Sequence, residues 1–188
     1  MKKLICALLA LSLALAMTAC GGKQPTETTA PAANIEGTME ELLNKVIEQR
    51  PVEFAGGVFP IDLTDTSEDG MWSIKSFTGL EDVSMLTEAA AYEPMMGSLA
   101  FSMVMVRTAA GADPKAVAEA MKSGVDPRKW ICVEADDMKV AGVGDDMKVA
   151  GVGDVVMLIM VSTSGDMTAQ SFVDAFQSVA GRDCDSVI

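Results

Sequence analysis

The chain contains no histidine at all. That one absence removes Ser-His-Asp and Cys-His catalysis, histidine-ligated zinc and imidazole acid–base chemistry. No GxSxG, SxxK or phosphate-binding glycine loop occurs either, and no CxxC pair offers a redox or zinc signature. Basic side chains are scarce, 14 against 27 acidic ones. An acidic surface is repelled by phosphate backbones and anionic headgroups, which argues against a nucleic-acid partner. Aromatic residues make up only 5% of the chain. Adjacent carboxylates such as Glu81-Asp82 and Asp136-Asp137 occur, but neighbouring acids in loops are ordinarily solvated charge. Catalysis would need two of them to converge in a cleft. The expectation is a protein that is not an enzyme and uses no cofactor; a carboxylate-based hydrolase is the alternative.

What is present begins at the N-terminus. Lys2 and Lys3 precede an apolar run from Leu4 to Met17, too short to cross a bilayer as a helix but suited to a secretory signal. The run ends in Met17-Thr18-Ala19-Cys20-Gly21, which resembles a bacterial lipobox, with Met17 where Leu is usual. The resemblance implies cleavage after residue 19 and acylation of Cys20. Acyl chains add about 0.8 kcal/mol per buried methylene, so two or three hold a protein firmly at a membrane. The expected location is the outer face of the cell membrane, with the lipid on Cys20 as the membrane contact. Loss of Lys2 and Lys3 with the signal leaves 12 basic against 27 acidic side chains, a net charge of −15. Residues 20–37 are rich in Gly, Pro, Thr and Ala without apolar periodicity, and read as a flexible tether.

A single domain is expected over residues 38–182, with 183–188 as a tail. Thr38 and Glu41 form a capping box ahead of Met39, Leu42, Leu43, Val46 and Ile47, which share a helical face up to Pro51. Val58 to Leu63, interrupted by Pro60, suits a short or edge strand. A short helix carries Trp72, Ile74 and Phe77 and stops at Gly79. Strands are predicted near Leu86 to Tyr92 and over Leu99 to Val106. Asp113-Pro114 opens a helix that buries Val117, Ala120 and Met121 and ends at Gly124. Trp130 to Glu134, Met138 to Val143 and Val155 to Val161 are strand-like. Asp166 or Thr168 caps a last helix ending at Gly181. Strands in neighbouring pairs predict an α+β fold, a mainly antiparallel sheet of about four to five strands with a ββαββα-like core and helices packed on it. Strands apolar on both sides predict a sheet covered on both faces.

Residues 136–144 and 145–153 are two identical copies of DDMKVAGVG. Nine is odd, so threading both copies through one strand would turn every later side chain to the wrong face. One copy is therefore expected to lengthen a hairpin tip. The repeat matches a calcium-binding nonapeptide at Gly142, Gly144 and Asp146 but fails at Ala141 and Lys148. Asp65 to Gly70 likewise resembles the opening of an EF-hand loop, but Ser76 stands where the bidentate Glu belongs. Plain turns are the preferred readings, and no metal site is expected.

Cys6 departs with the signal and Cys20 is acylated, leaving Cys132 and Cys184. These are a candidate disulfide pair; a buried thiol at Cys132 in the apolar run and a free thiol at Cys184 in the tail is the preferred reading. Met103 and Met105 read as core filling. Met95 and Met96, in the turn Glu93-Pro94-Met95-Met96-Gly97, read with Trp130 as a candidate interaction surface for an envelope protein or peptide. The turn, the strand from Ser102 to Arg107 and the stretch Asp126-Pro127-Arg128-Lys129-Trp130-Ile131-Cys132 together resemble small lipoproteins of Gram-positive gut anaerobes, grouped as domain of unknown function 4358. The likeness covers residues 38–182. It implies a Gram-positive envelope and assigns no activity and no residue role. The function expected is a membrane-anchored binding module, with a structural or accessory envelope protein as the alternative.

Overall fold

The computed structural model describes residues 35–143, 155–163 and 167–188. The expected signal, the lipobox-like stretch with Cys20 and the repeat's second copy lie outside the described residues. Four helices and one antiparallel sheet make up the described part, an α+β fold with the helices packed on the sheet.

Helix α1 (Met39–Gln49) starts where Thr38 accepts the Glu41 N–H and Glu41 reaches back to the Thr38 N–H, the reciprocal box the sequence predicts. Strand β1 (Gly56–Pro60) is the sheet edge, where a proline is tolerated because half of an edge strand's backbone groups face outward. Helix α2 (Glu68–Thr78) is capped by Ser67 and ends at Gly79, whose φ of 76° is left-handed. Strands β2 (Leu86–Pro94) and β3 (Phe101–Thr108) follow. Helix α3 (Pro114–Gly124) carries Asp113 as its cap and buries Val117, Ala118 and Met121. The predicted inward residue Ala120 is only half-buried. Gly79 and Gly124 let the ends of α2 and α3 meet: a Cβ on Gly124 would lie 1.9 Å from the Gly79 carbonyl oxygen.

Strands β4 (Asp137–Val143) and β5 (Val155–Val161) are joined by residues outside the described set. Helix α4 (Ala169–Ala180) takes Thr168 as its cap and Gly181 as its stop, and a two-residue strand β6 (Ser186–Val187) closes the chain. The sheet order is β1-β2-β3-β5-β4-β6, all neighbours antiparallel. The segment β2-β3-α3-β4-β5-α4 is the expected ββαββα core. Residues 183–188 are not a detached tail, because β6 pairs with β4 at Ala141 and Gly142.

The side-chain alternation of the strands separates two cores. On one face Phe101, Met103, Met105, Met157 and Ile159 pack against α1 and α4. Phe101 is its centre, with Phe54 at 5.0 Å, Phe172 at 5.3 Å and Tyr92 at 5.8 Å between ring centroids. On the other, Val104, Val106, Val156, Leu158 and Met160 pack against Ile74 of α2 and Val117 and Met121 of α3. Burying β5 on both faces explains its uninterrupted apolar sequence, and burial of each such side chain contributes about 1.5–3 kcal/mol.

The predicted strand at Trp130–Glu134 does not form; these residues are bends and loop. Four apolar residues do not suffice where Asp126-Pro127 has already turned the chain, Asp126 accepting the Arg128 N–H, and where Cys132 sits at a φ of 62°. The segment instead runs past one end of the sheet.

Candidate interaction surface

The turn after β2 and the connection after α3 meet at that end. The Met95 N–H donates to the Ala55 carbonyl at 2.9 Å, tying the turn to the edge strand. The Ile131 N–H donates to the Gly97 carbonyl at 2.8 Å. Ile131 lies over Gly97, its side-chain carbons 3.6 and 3.9 Å from where a Cβ on that glycine would stand. Met95, Met96 and Ile131 are exposed by 82%, 57% and 69%. Trp130 does not join them at the surface; it is half-buried against the α2/α3 core.

Beneath this patch lies a polar cluster. The Lys129 ammonium donates to Glu93 Oε1 at 2.8 Å and to Ser102 Oγ at 2.9 Å, and the Ser102 hydroxyl donates to the same Glu93 oxygen. The Lys129 nitrogen also stands 4.7 Å from the centroid of the Phe77 ring and 5.3 Å from that of Trp130. Burial pulls the Lys129 ammonium below its ordinary range, with Glu93 acting in the opposite direction. A serine touching a lysine invites a nucleophile-and-base reading. The proton geometry opposes it: Ser102 donates to a carboxylate while the lysine donates to its oxygen, and Ser102 is fully buried. The cluster is an anchor that pins the 126–136 connection to β2 and β3.

At the opposite end of the sheet Arg107 donates to the carbonyls of Ile35 at 3.2 Å and Gly37 at 2.6 Å. Glu88 lies 3.5 Å from the same guanidinium and accepts the Met39 N–H at 2.8 Å. The chain preceding α1 therefore joins the domain about 20 Å along β3 from the methionine turn, at ~3.3 Å per strand residue.

Comparison with protein-family models, curated proteins and solved structures finds no match.

The two cysteines are free, which corrects the candidate pairing of Cys132 with Cys184. Their environments are also the reverse of the preferred reading. Cys132 is exposed on its loop, while Cys184 packs against the α1/α4 core and its N–H donates to Gln177 at 3.0 Å. Burial, with Asp185 and Asp183 adding, pushes the Cys184 thiol up to about 12.

A cavity of about 200 Å³ lined by Ile61, Asp62, Asp65, Asp69, Gly70, Ser73 and Ile74 opens beside α2. It contains the EF-hand-like stretch, which is a helix-capping turn: Asp65 accepts the Ser67 N–H at 2.9 Å, and Ser67 caps α2. Hydrogen bonds from Thr64 hold Asp62, and hydrogen bonds from Ser67 hold Asp65, below the usual carboxylate range. Among the described residues, no three acidic or cysteine side chains converge as metal ligands. Among them, too, no helix is long and apolar enough to cross a membrane.

Sequence reasoning found Met95 and Met96 but missed Ile131 and the Glu93–Ser102–Lys129 anchor. One signal was available: Ser102 is the sole polar residue within the run from Leu99 to Val106, and a polar side chain in a buried strand requires a partner.

Proposed function

We propose that the protein is a lipid-anchored, extracytoplasmic interaction module that binds an apolar segment of an envelope protein or peptide through Met95, Met96 and Ile131. The anchor is the acylated Cys20, residues 20–37 are the tether, and the folded domain carries the binding surface. The resemblance to domain of unknown function 4358 lipoproteins fits this placement. The observation that carries the reading is the exposed methionine–isoleucine patch, held on a buried ion pair at the sheet end opposite Arg107. A tether joining at Arg107 leaves the patch free to face away from the anchoring bilayer. Methionine is unbranched and polarizable, suited to contact with varied apolar partners. A carboxylate hydrolase is the weaker reading. Its general acid needs a raised pKa, whereas Asp62 and Asp65 in the acidic cavity are both lowered.

Two variants test the halves separately. Cys20→Ala releases the protein from the membrane fraction with its fold intact. Replacing Met95, Met96 and Ile131 together by Ser leaves it membrane-bound and folded but abolishes recovery of a specific partner from detergent-solubilised envelopes. Retention of every partner by the triple variant contradicts the assigned surface and favours an accessory role without such a ligand.

A further inference from the structure

Strand β4 lies within the first copy of the duplicated nonapeptide. Its register with β5 runs from Asp137 opposite Val161 to Val143 opposite Val155. Residues 146–152 repeat residues 137–143 letter for letter. Placing the second copy beside β5 would set Asp146 opposite Val161 and Val152 opposite Val155, with every cross-strand pair chemically unchanged. A slide of one residue would turn the faces over, but replacing one copy by the other keeps them.

The anchors of β4 are duplicated with it. Asp136 accepts the Thr163 N–H at 2.6 Å and the Thr163 hydroxyl at 2.7 Å, and Asp137 accepts the Ala169 N–H at the start of α4 at 2.8 Å. Asp145 and Asp146 supply the same two carboxylates at the same spacing. The β6 contacts made by Ala141 and Gly142 have their counterparts in Ala150 and Gly151.

Only the connections differ. With the first copy in the sheet, residues 144–154 join β4 to β5. With the second, the join is Gly153-Asp154 alone, a two-residue hairpin loop with glycine at its first position, as a type II′ turn requires. Loop-closure weights fall as about the −3/2 power of length, which favours the short hairpin roughly tenfold. The connection from α3 grows by nine residues in exchange, which costs roughly twofold by the same scaling. Together the two factors leave the arrangements within about fivefold of each other, the second copy being favoured.

We propose that β4 is a strand with two interchangeable occupants, residues 137–143 and residues 146–152, competing for one place beside β5. Exchange moves nine residues from the sheet end bearing Val143 and Arg107 to the end bearing Asp137 and Phe101. It thereby lengthens the connection that carries Lys129, Trp130 and Ile131. The inference stands on the register and the repeat, whatever the protein binds.

Proline substitution in the full chain tests it. The Ser162 N–H to Ala100 carbonyl bond sets the alternation in which odd-numbered β5 residues turn their backbone groups toward β4. Ala141, opposite Met157, is therefore a position where proline removes a ladder bond. Ala141→Pro and Ala150→Pro are each expected to shift Tm by less than about 5 °C, and the double variant to lower it by about 10 °C or more. Hydrogen exchange should show partial protection of both copies in the wild type, with Ala150→Pro raising protection over 137–143. If Ala141→Pro alone is as damaging as the double while Ala150→Pro is silent, β4 has one occupant and the proposal fails. A harmless double variant overturns it equally, because the place would then need no strand.

Discussion

Replacing Lys129 by methionine tests the anchor under the candidate surface. The Lys129 and Glu93 side chains are 11% and 15% exposed. Methionine keeps most of the apolar stem against Phe77 and Trp130 but leaves Glu93 with Ser102 as its remaining named partner. Removing one member of a buried ion pair costs 3–5 kcal/mol, because the other charge stays buried. The surviving Ser102 bond and the residual exposure of Glu93 place the expected loss near the lower end, about 3 kcal/mol. In a domain of this size that lowers Tm by roughly 6–12 °C. Urea unfolding at neutral pH should show the loss as a lower midpoint at unchanged slope. A companion variant makes the reasoning sharper. Glu93→Leu, Ser102→Ala and Lys129→Met together remove every polar member of the cluster. Stability should return to the wild-type level or above, since apolar replacement of a whole buried pair is commonly neutral or stabilising. A loss below about 1 kcal/mol in Lys129→Met, or a triple variant weaker than the single one, refutes the anchor. The pH dependence adds a signed check. Burial lowers the Lys129 pKa, so the unfolded chain holds that proton more tightly, and stability rises between the lowered folded value and 10.5. Lys129→Met should flatten that limb.

Three further outcomes follow from the same contacts. At pH 8, iodoacetamide should label Cys132 quickly and Cys184 slowly, since the Cys184 thiol is half-buried and its pKa stands at about 12; peptide mass spectrometry reads both, and equal rates would contradict the packing of Cys184. Asp62, Asp65, Asp82 and Asp136 lie below 3.8 and Glu81 below 4.5, so their contribution is present above those values and lost as pH falls through the folded pKa values. Acid titration should therefore be flat near pH 6 and fall below about pH 4, with Asp136→Asn reducing the slope. Deleting residues 145–153 leaves β4 and a Gly144-Asp154 turn, and should leave stability unchanged or raise it by about 0.5 kcal/mol, because the two-residue hairpin is kept and only the connection from α3 shortens; a large loss in urea unfolding would show that the second copy is structural.

The elements that were legible share one property: their signals are local. The capping box at Thr38 and Glu41, the Asp113-Pro114 start and the glycine stops at 79 and 181 each satisfy a helix end within a few residues, and each marks a helix end in the structure. Val155 to Val161 was legible because seven apolar residues between turn signals suit a strand buried on both faces and are too few for a helix, and its bounds agree. Trp130 to Cys132 misled because a short apolar run is the same whether it enters a sheet or packs over its end. The anchor was illegible for a different reason. Glu93, Ser102 and Lys129 come from three separate segments, and only the β2–β3 register and the turn at Pro127 bring them together. Local chemistry showed that Met95 and Met96 sit in a turn, but their union with Ile131 depends on one backbone bond to Gly97.

The most direct test of the proposed function places a photo-crosslinking residue at Met96, at Ile131 and, as a control on the exposed side of α3, at Glu119, in the full chain within intact cells. The account predicts the same discrete protein adduct from positions 96 and 131 and none from 119. Adducts to lipid alone at 96 and 131, or one adduct pattern shared by all three positions, would contradict it.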